Sequence, residues 1–169
     1  MPKIRSLDDL LVMQLRDLYS AEKQLLQNLP RMAKKVSHDD LRKAFEKHAK
    51  ETEQQKLRLE KIGTILEFKP GGHTCAAMKG LIEEAKEFLE DAEDAPEDVI
   101  DAGLIANAQR IEHYEIAGYG TVRALADLLG YANVVKLIEQ TLAEEKKTDQ
   151  LLTDLALSTV NADAAASEE

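Results

Sequence analysis

Four stretches of this chain repeat one spacing, apolar side chains three and four residues apart, which a helix gathers onto a single face. The first carries Leu11, Leu15, Leu18, Leu25 and Leu29, and the second Leu41, Phe45, Leu59, Ile62 and Leu66. Ile105, Ala108, Tyr119, Val122, Ala126 and Leu129 form the third, and Val134, Ile138, Leu152 and Leu155 the fourth. Ser6, followed by Asp8 and Asp9, marks the start of the first helix, because a side-chain cap and early carboxylates both favour the positive end of the helix dipole. Met32, Ala33 and Val36 keep the spacing beyond Pro30, so this helix is expected to kink there and end near Ser37. Pro70-Gly71-Gly72 breaks the second helix, Pro96 opens the third, Gly130 ends it, and Asn133 is a plausible cap for the fourth.

Two short hairpin connections flank one long connection, residues 67–97, which carries its own stripe of Met78, Leu81, Ile82, Ala85, Phe88 and Leu89. A simple up-down-up-down bundle does not need that length. The expected fold is therefore all-α, a ferritin-like four-helix bundle with a long crossover carrying an extra short helix. The bundle domain spans residues 1–157. Residues 158–169, Ala/Ser/Glu-rich and without an apolar stripe, are expected to be disordered.

Each main stripe is broken by polar residues where a core side chain belongs. These are Glu22 in the first helix, His48 with Glu51 in the second, Glu112 and Glu115 in the third, and Glu145 in the fourth. A single glutamate on a stripe usually reaches solvent through a slight rotation of its helix. Four helices interrupted together need another account, and height along the bundle tests it. Glu22 lies 15 residues before Ser37 and Glu51 13 after His38, while Glu115 and Glu145 each lie 15 from Gly130. At ~1.5 Å per residue the acids within each helix pair are nearly level. The basic neighbours Lys23, Lys50, Arg110 and Lys146 fall on other faces. Carboxylates meeting in a core without cations cost several kcal/mol each. A pair of metal ions bridged by carboxylates would satisfy them together.

The stretches Leu18-Tyr19-Ser20-Ala21-Glu22, His48-Ala49-Lys50-Glu51-Thr52 with Gln55, Glu112-His113-Tyr114-Glu115-Ile116-Ala117, and Glu144-Glu145 with Thr148-Asp149 resemble the YciE/YciF family of bacterial ferritin-like proteins. The resemblance runs over nearly the whole chain except the tail. It implies a compact bundle, a homodimer, a di-metal site and a link to stress responses. Ferritin-like di-iron proteins commonly place Glu-x-x-His on two helices. Here the second helix reads His48-x-x-Glu51, in reverse order, and the fourth Glu145-x-x-Thr148, without His. Glu22, Glu51, Glu112, Glu115 and Glu145 are the main candidate ligands. His48 and Asp149 follow, with Gln55 as an outer hydrogen-bond partner. An oxygen-rich donor set favours Fe or Mn, with Zn as a substitute. Tyr19, Tyr114 and Tyr119 are candidate pocket walls or redox neighbours, their ordinary reading being packing with a bonded hydroxyl. His113 belongs on another face, and His38 and His73 sit in loops.

With 22 basic against 32 acidic side chains, the net charge of −10 argues against binding nucleic acid or an anionic membrane surface. No apolar run reaches the roughly 18 residues of a membrane span. The opening residues lack the apolar run of a secretory signal, and the single Cys75 can form no internal disulfide, so a cytoplasmic protein is expected. Cys75 reads as a small packed thiol at a helix start. There is no Gly-x-Ser-x-Gly nucleophile motif and no P-loop spacing. A stress-linked di-metal protein reacting with oxygen or peroxide is the first functional expectation. A non-catalytic helical interaction or scaffold protein that keeps the fold is the second.

Overall fold

The structure, a computed structural model, describes residues 3–167. Its order is α1 (Leu7–Ala33), α2 (Asp39–Ile65), α3 (Ala76–Asp91), α4 (Glu97–Leu128), α5 (Ala132–Leu155), a π turn (Ala156–Val160) and α6 (Asn161–Ala166). Helices α1, α2, α4 and α5 form a ferritin-like four-helix bundle, and α3 lies in the crossover against α1 and α4. No strand occurs among the described residues.

Local chemistry accounts for the boundaries. Ser6 Oγ accepts the Asp9 amide at 3.1 Å, and the Asp9 carboxylate accepts the Ser6 amide at 3.1 Å, a reciprocal cap on α1. Cys75, buried, caps α3 by accepting the Met78 amide on Sγ at 3.3 Å. The thiol is packed at a helix start, as its position suggested. Helix α4 ends on Gly130 at φ 80°, with the Tyr131 amide reaching Ala126 O at 2.9 Å and the Gly130 amide reaching Asp127 O at 3.1 Å. That double bond requires a left-handed residue between the two amides, which glycine adopts without a Cβ clash. A Cβ on Gly103 would lie 1.9 Å from the Phe88 ring, so the missing side chain is what lets α3 seat its phenyl group on α4.

Three boundaries differ from expectation. Pro30 stays inside α1, but the helix stops at Ala33 rather than near Ser37, because the Ser37 amide is drawn to Asp101 Oδ1 at 3.0 Å. Tyr131 rather than Asn133 precedes α5. The tail expected to be disordered is helical as far as Ala166, while residues 168 and 169 lie outside the described part. The π turn adds a residue to the helical repeat and so re-aims the chain; Val160 and Ala164, one turn apart, become buried.

Two apolar regions fill the bundle. One, around Leu25, Leu29, Phe45, Met78, Leu104, Ile111 and Leu152, is joined by Val160. The other gathers Leu11, Leu15, Leu59, Ile62, Val122, Val134 and Ile138. Between them lies a polar layer with Glu22, His48, Thr52, Gln55, Glu112, Glu115, Thr141 and Glu145 all buried.

Candidate metal centre

Each long helix contributes to this layer. Helix α1 supplies Glu22, α2 His48 and Gln55, α4 the i, i+3 pair Glu112 and Glu115, and α5 Glu145. Glu22, Glu115 and Glu145 are each 0% exposed and Glu112 1%. Lys23, Lys50, Arg110 and Lys146 point outward, so the local cations do not neutralise the acids. The His48 side chain is 3% exposed, with Nε2 3.1 Å from Glu112 Oε1 but without hydrogen-bond alignment.

The donor atoms are left without partners. Among the described residues, nine buried side-chain nitrogen or oxygen atoms lack a hydrogen bond, and they belong to Glu22, His48, Glu51, Gln55, Glu112, Glu115 and Glu145. Both oxygens of Glu115 and both ring nitrogens of His48 are among them. Buried polar atoms elsewhere in proteins are nearly all paired. Single ligand atoms of His48, Glu115 and Glu145 lie within 4.8 Å of one another, a spacing at which they could hold a metal ion.

Burial pushes all four core carboxyls upward. Glu112 is raised from 4.5 to about 8, chiefly by desolvation, with Asp149 and Glu51 adding repulsion. Desolvation also lifts Glu22, Glu115 and Glu145 well above the ordinary range, reinforced by Glu145 acting on Glu22, Glu22 on Glu115 and Glu112 on Glu145. Without cations the layer therefore holds protons. With them, it can exchange those protons for metal.

A supporting layer orients several of these groups. The buried Tyr119 hydroxyl donates to Glu22 Oε1. Gln55 Nε2 donates to Glu145 Oε1 and, at 3.1 Å, to Glu144 Oε2. Arg58 grips Glu144 with two bonds of 2.6 Å and reaches Thr141 Oγ1 at 3.1 Å. Sequence reasoning placed Gln55 outside the ligands but missed Arg58, whose signal was its place one turn beyond Gln55 on α2. The Thr52 hydroxyl donates back to His48 O, its own helix, at 2.9 Å.

The candidates are not equivalent. His48, ranked second from sequence, sits in the centre. Glu51, ranked first, is at the rim, with one oxygen bound to Lys47 Nζ at 2.5 Å and the other buried and unpaired. Asp149 is also at the rim. Its carboxylate accepts Gln109 Nε2 at 3.0 Å and lies 3.4 Å from Nε2 of the largely exposed His113. No helix of the described residues is long and apolar enough to cross a membrane.

Comparison with known proteins places the chain. A family model described as a domain of unknown function, DUF892, matches residues 6–165. Protein YciF of Escherichia coli strain K12 is 46% identical over 162 residues, covering 94% of this chain and 95% of that protein. The crystal structure of the E. coli stress protein YciF matches with a TM-score of 0.88 at 45% identity, over 94% of this chain and 99% of that one. YcfI from Rhodopseudomonas palustris gives 0.86 at 40% identity, over 90% and 96% of the two chains. A Xanthomonas campestris protein, 19% identical, shares the fold with a TM-score of 0.74 over 97% of this chain and all, 100%, of that one. The chain therefore belongs to the DUF892 family and is a relative of the stress protein YciF, as its four motifs suggested.

Proposed function

We propose that this protein binds two metal ions, Fe or Mn, in the polar layer and reacts with oxygen or peroxide as part of a stress response. The observation that carries this reading is the set of unpaired buried donors, all in one layer and drawn from all four helices. A structural role alone gives no reason to leave them unsatisfied.

His48, Glu115 and Glu145 would hold one ion, and Glu22, Glu112 and Glu51 complete the pair, with Asp149 at the rim. The one nitrogen among oxygens suits Fe or Mn, and Zn as a substitute. A bound pair of redox-active ions would supply the electrons for oxygen or peroxide reduction. The protein's own part is positional. Gln55, braced through Glu144 by Arg58, holds Glu145 by one oxygen and leaves the other free to bind. Tyr119 does the same for Glu22 and keeps a proton on its phenol, which burial and the adjacent Glu22 hold far above its usual range. The apolar regions on either side exclude water from the layer. A homodimer in the cytoplasm is the expected setting.

Metal analysis of protein purified without chelator tests the site, with Glu115→Ala and Glu145→Ala as variants. Bound Fe or Mn that falls sharply in both is the expected result. Metal content unchanged by either substitution rules the site out.

The second reading is a helical scaffold that keeps the fold without turnover. Two observations favour it: the missing His of two motifs, and the description of the relative YcfI as a candidate structural protein. Metal-loaded protein that neither oxidises Fe(II) nor consumes peroxide would select this reading.

A further inference from the structure

A second group of reactive side chains lies outside the metal layer, where α1, α4 and the start of α3 meet. Tyr114, next to Glu115 on α4, donates its hydroxyl to Asp17 Oδ2. Cys75 Sγ donates to the same oxygen at 3.2 Å and lies 3.0 Å from the Tyr114 hydroxyl. The other oxygen, Oδ1, is 2.8 Å from Nε2 of His73, whose side chain is 19% exposed. Sequence spacing gave no hint of this meeting, since the four residues come from α1, the loop before α3, the cap of α3 and α4.

Their protonation states differ in a useful way. Desolvation raises the Cys75 thiol. Asp17 is lowered despite its partial burial, by bonds from Tyr114, Cys75 and His73. The phenol and the thiol thus converge on one carboxylate oxygen. Tyr119 offers a contrast, since its phenol is fully buried and bonded to Glu22 of the metal layer itself. Asp17 and Tyr114 line a surface cleft of about 210 Å³, so this group has an opening to solvent.

We propose that Tyr114, Asp17, Cys75 and His73 form a relay that moves one-electron oxidising equivalents onto Cys75 and the accompanying proton toward His73. Tyr114 gives an electron to the oxidant and its hydroxyl proton to Asp17, leaving a phenoxyl radical. Cys75 then passes the hydrogen atom of its S–H bond to the Tyr114 oxygen, which restores the phenol and leaves a thiyl radical. The proton on Asp17 leaves through His73. The net change is one electron to the oxidant and one proton to solvent from the Cys75 thiol, which a diffusible enediol reductant of the ascorbate class restores by giving the thiyl radical one electron and one proton. The relay rests on the proposed function only for its oxidant, which the metal site would supply.

The test replaces that source with a photogenerated ruthenium(III) polypyridyl oxidant, so it does not depend on bound metal. The full-length protein carries Tyr19→Phe and Tyr131→Phe, leaving Tyr114 and Tyr119 as its tyrosines. Time-resolved electron paramagnetic resonance follows the tyrosyl radical. Cys75→Ser, which keeps a capping side chain for α3, is expected to lengthen its lifetime about tenfold or more. Asp17→Asn is expected to lower its yield about tenfold, a modest share of what a positioned base contributes. Tyr114→Phe is expected to abolish it. A lifetime indifferent to Cys75, a yield indifferent to Asp17, or a signal that survives Tyr114→Phe and so resides on Tyr119 would each overturn the relay. Failure of metal binding with an intact relay would sink the proposed function alone.

Discussion

Asp101 and Glu115 lie on the same helix, α4, and are almost equally inaccessible, at 1% and 0% exposure. Their surroundings are opposite. Asp101 accepts the Ser37 amide at 3.0 Å, the Ser37 hydroxyl at 2.7 Å and the His38 amide at 2.7 Å, and so ties down the turn between α1 and α2. Glu115 accepts nothing on either oxygen. Burial alone therefore does not mark a functional acid; burial with unmet donors or acceptors does. Asp101 is a structural carboxylate complete within the chain, whereas Glu115 needs a proton or a cation from outside.

The largest expected effect separates the two with metal. Mn(II) or Fe(II) at about a thousandfold over its dissociation constant should stabilise the fold by about 4 kcal/mol, a rise in Tm of about 10 °C by calorimetry. No difference between loaded and chelated protein would remove the distinction. Asp101→Ala comes next, with a loss of about 3 kcal/mol in denaturant titrations, because it strands two backbone amides and a hydroxyl. That loss should be the same in loaded and chelated protein. Glu115→Gln should act in the opposite direction, stabilising chelated protein by about 1–2 kcal/mol at pH 8, since it removes a buried acid that nothing pairs. The same substitution should weaken the loaded protein. Equal losses at both positions would erase the contrast.

The most gradual effect is a slope with pH. Glu112 is raised from 4.5 to about 8, so the folded metal-free protein holds a proton that the unfolded chain releases. Its contribution is full below about 4.5, declines as pH rises and is gone above about 8. For this one proton the decline is at most about 1.4 kcal/mol per pH unit. Chelated protein should thus lose stability from mildly acid to mildly alkaline pH, and metal loading should flatten that slope. Stability that rises over the same range in chelated protein would contradict the shared protonation of the layer.

The spacing of apolar residues revealed the four long helices, the crossover helix and the level of the acids, because a buried face must repeat every three or four residues whatever its partners. The spacing also held the information that His48 lies deeper than Glu51. His48 continues the series Leu41, Phe45, Thr52, Gln55, Leu59 and Ile62, whereas Glu51 falls beside it. Chemical type outweighed position in ordering the candidate ligands; the structure places His48 inside the layer and Glu51 at its rim. The helical tail was hidden for another reason: among its described residues only Val160 and Ala164 are buried, and the π turn shifts their phase relative to α5. The end of α1 depended on Asp101, sixty-four residues away from Ser37, and the Tyr114 cluster on three separate elements. Contacts of that range leave no periodic trace.

The central claim is that the unpaired layer is a metal site. Anomalous diffraction at the Fe and Mn edges, from crystals of protein purified without chelator, tests it most directly. Peaks among His48, Glu115 and Glu145, with a second among Glu22, Glu112 and Glu51, are the predicted result. A layer without anomalous signal in crystals soaked with both metals, its carboxyls paired only to one another, would contradict the account.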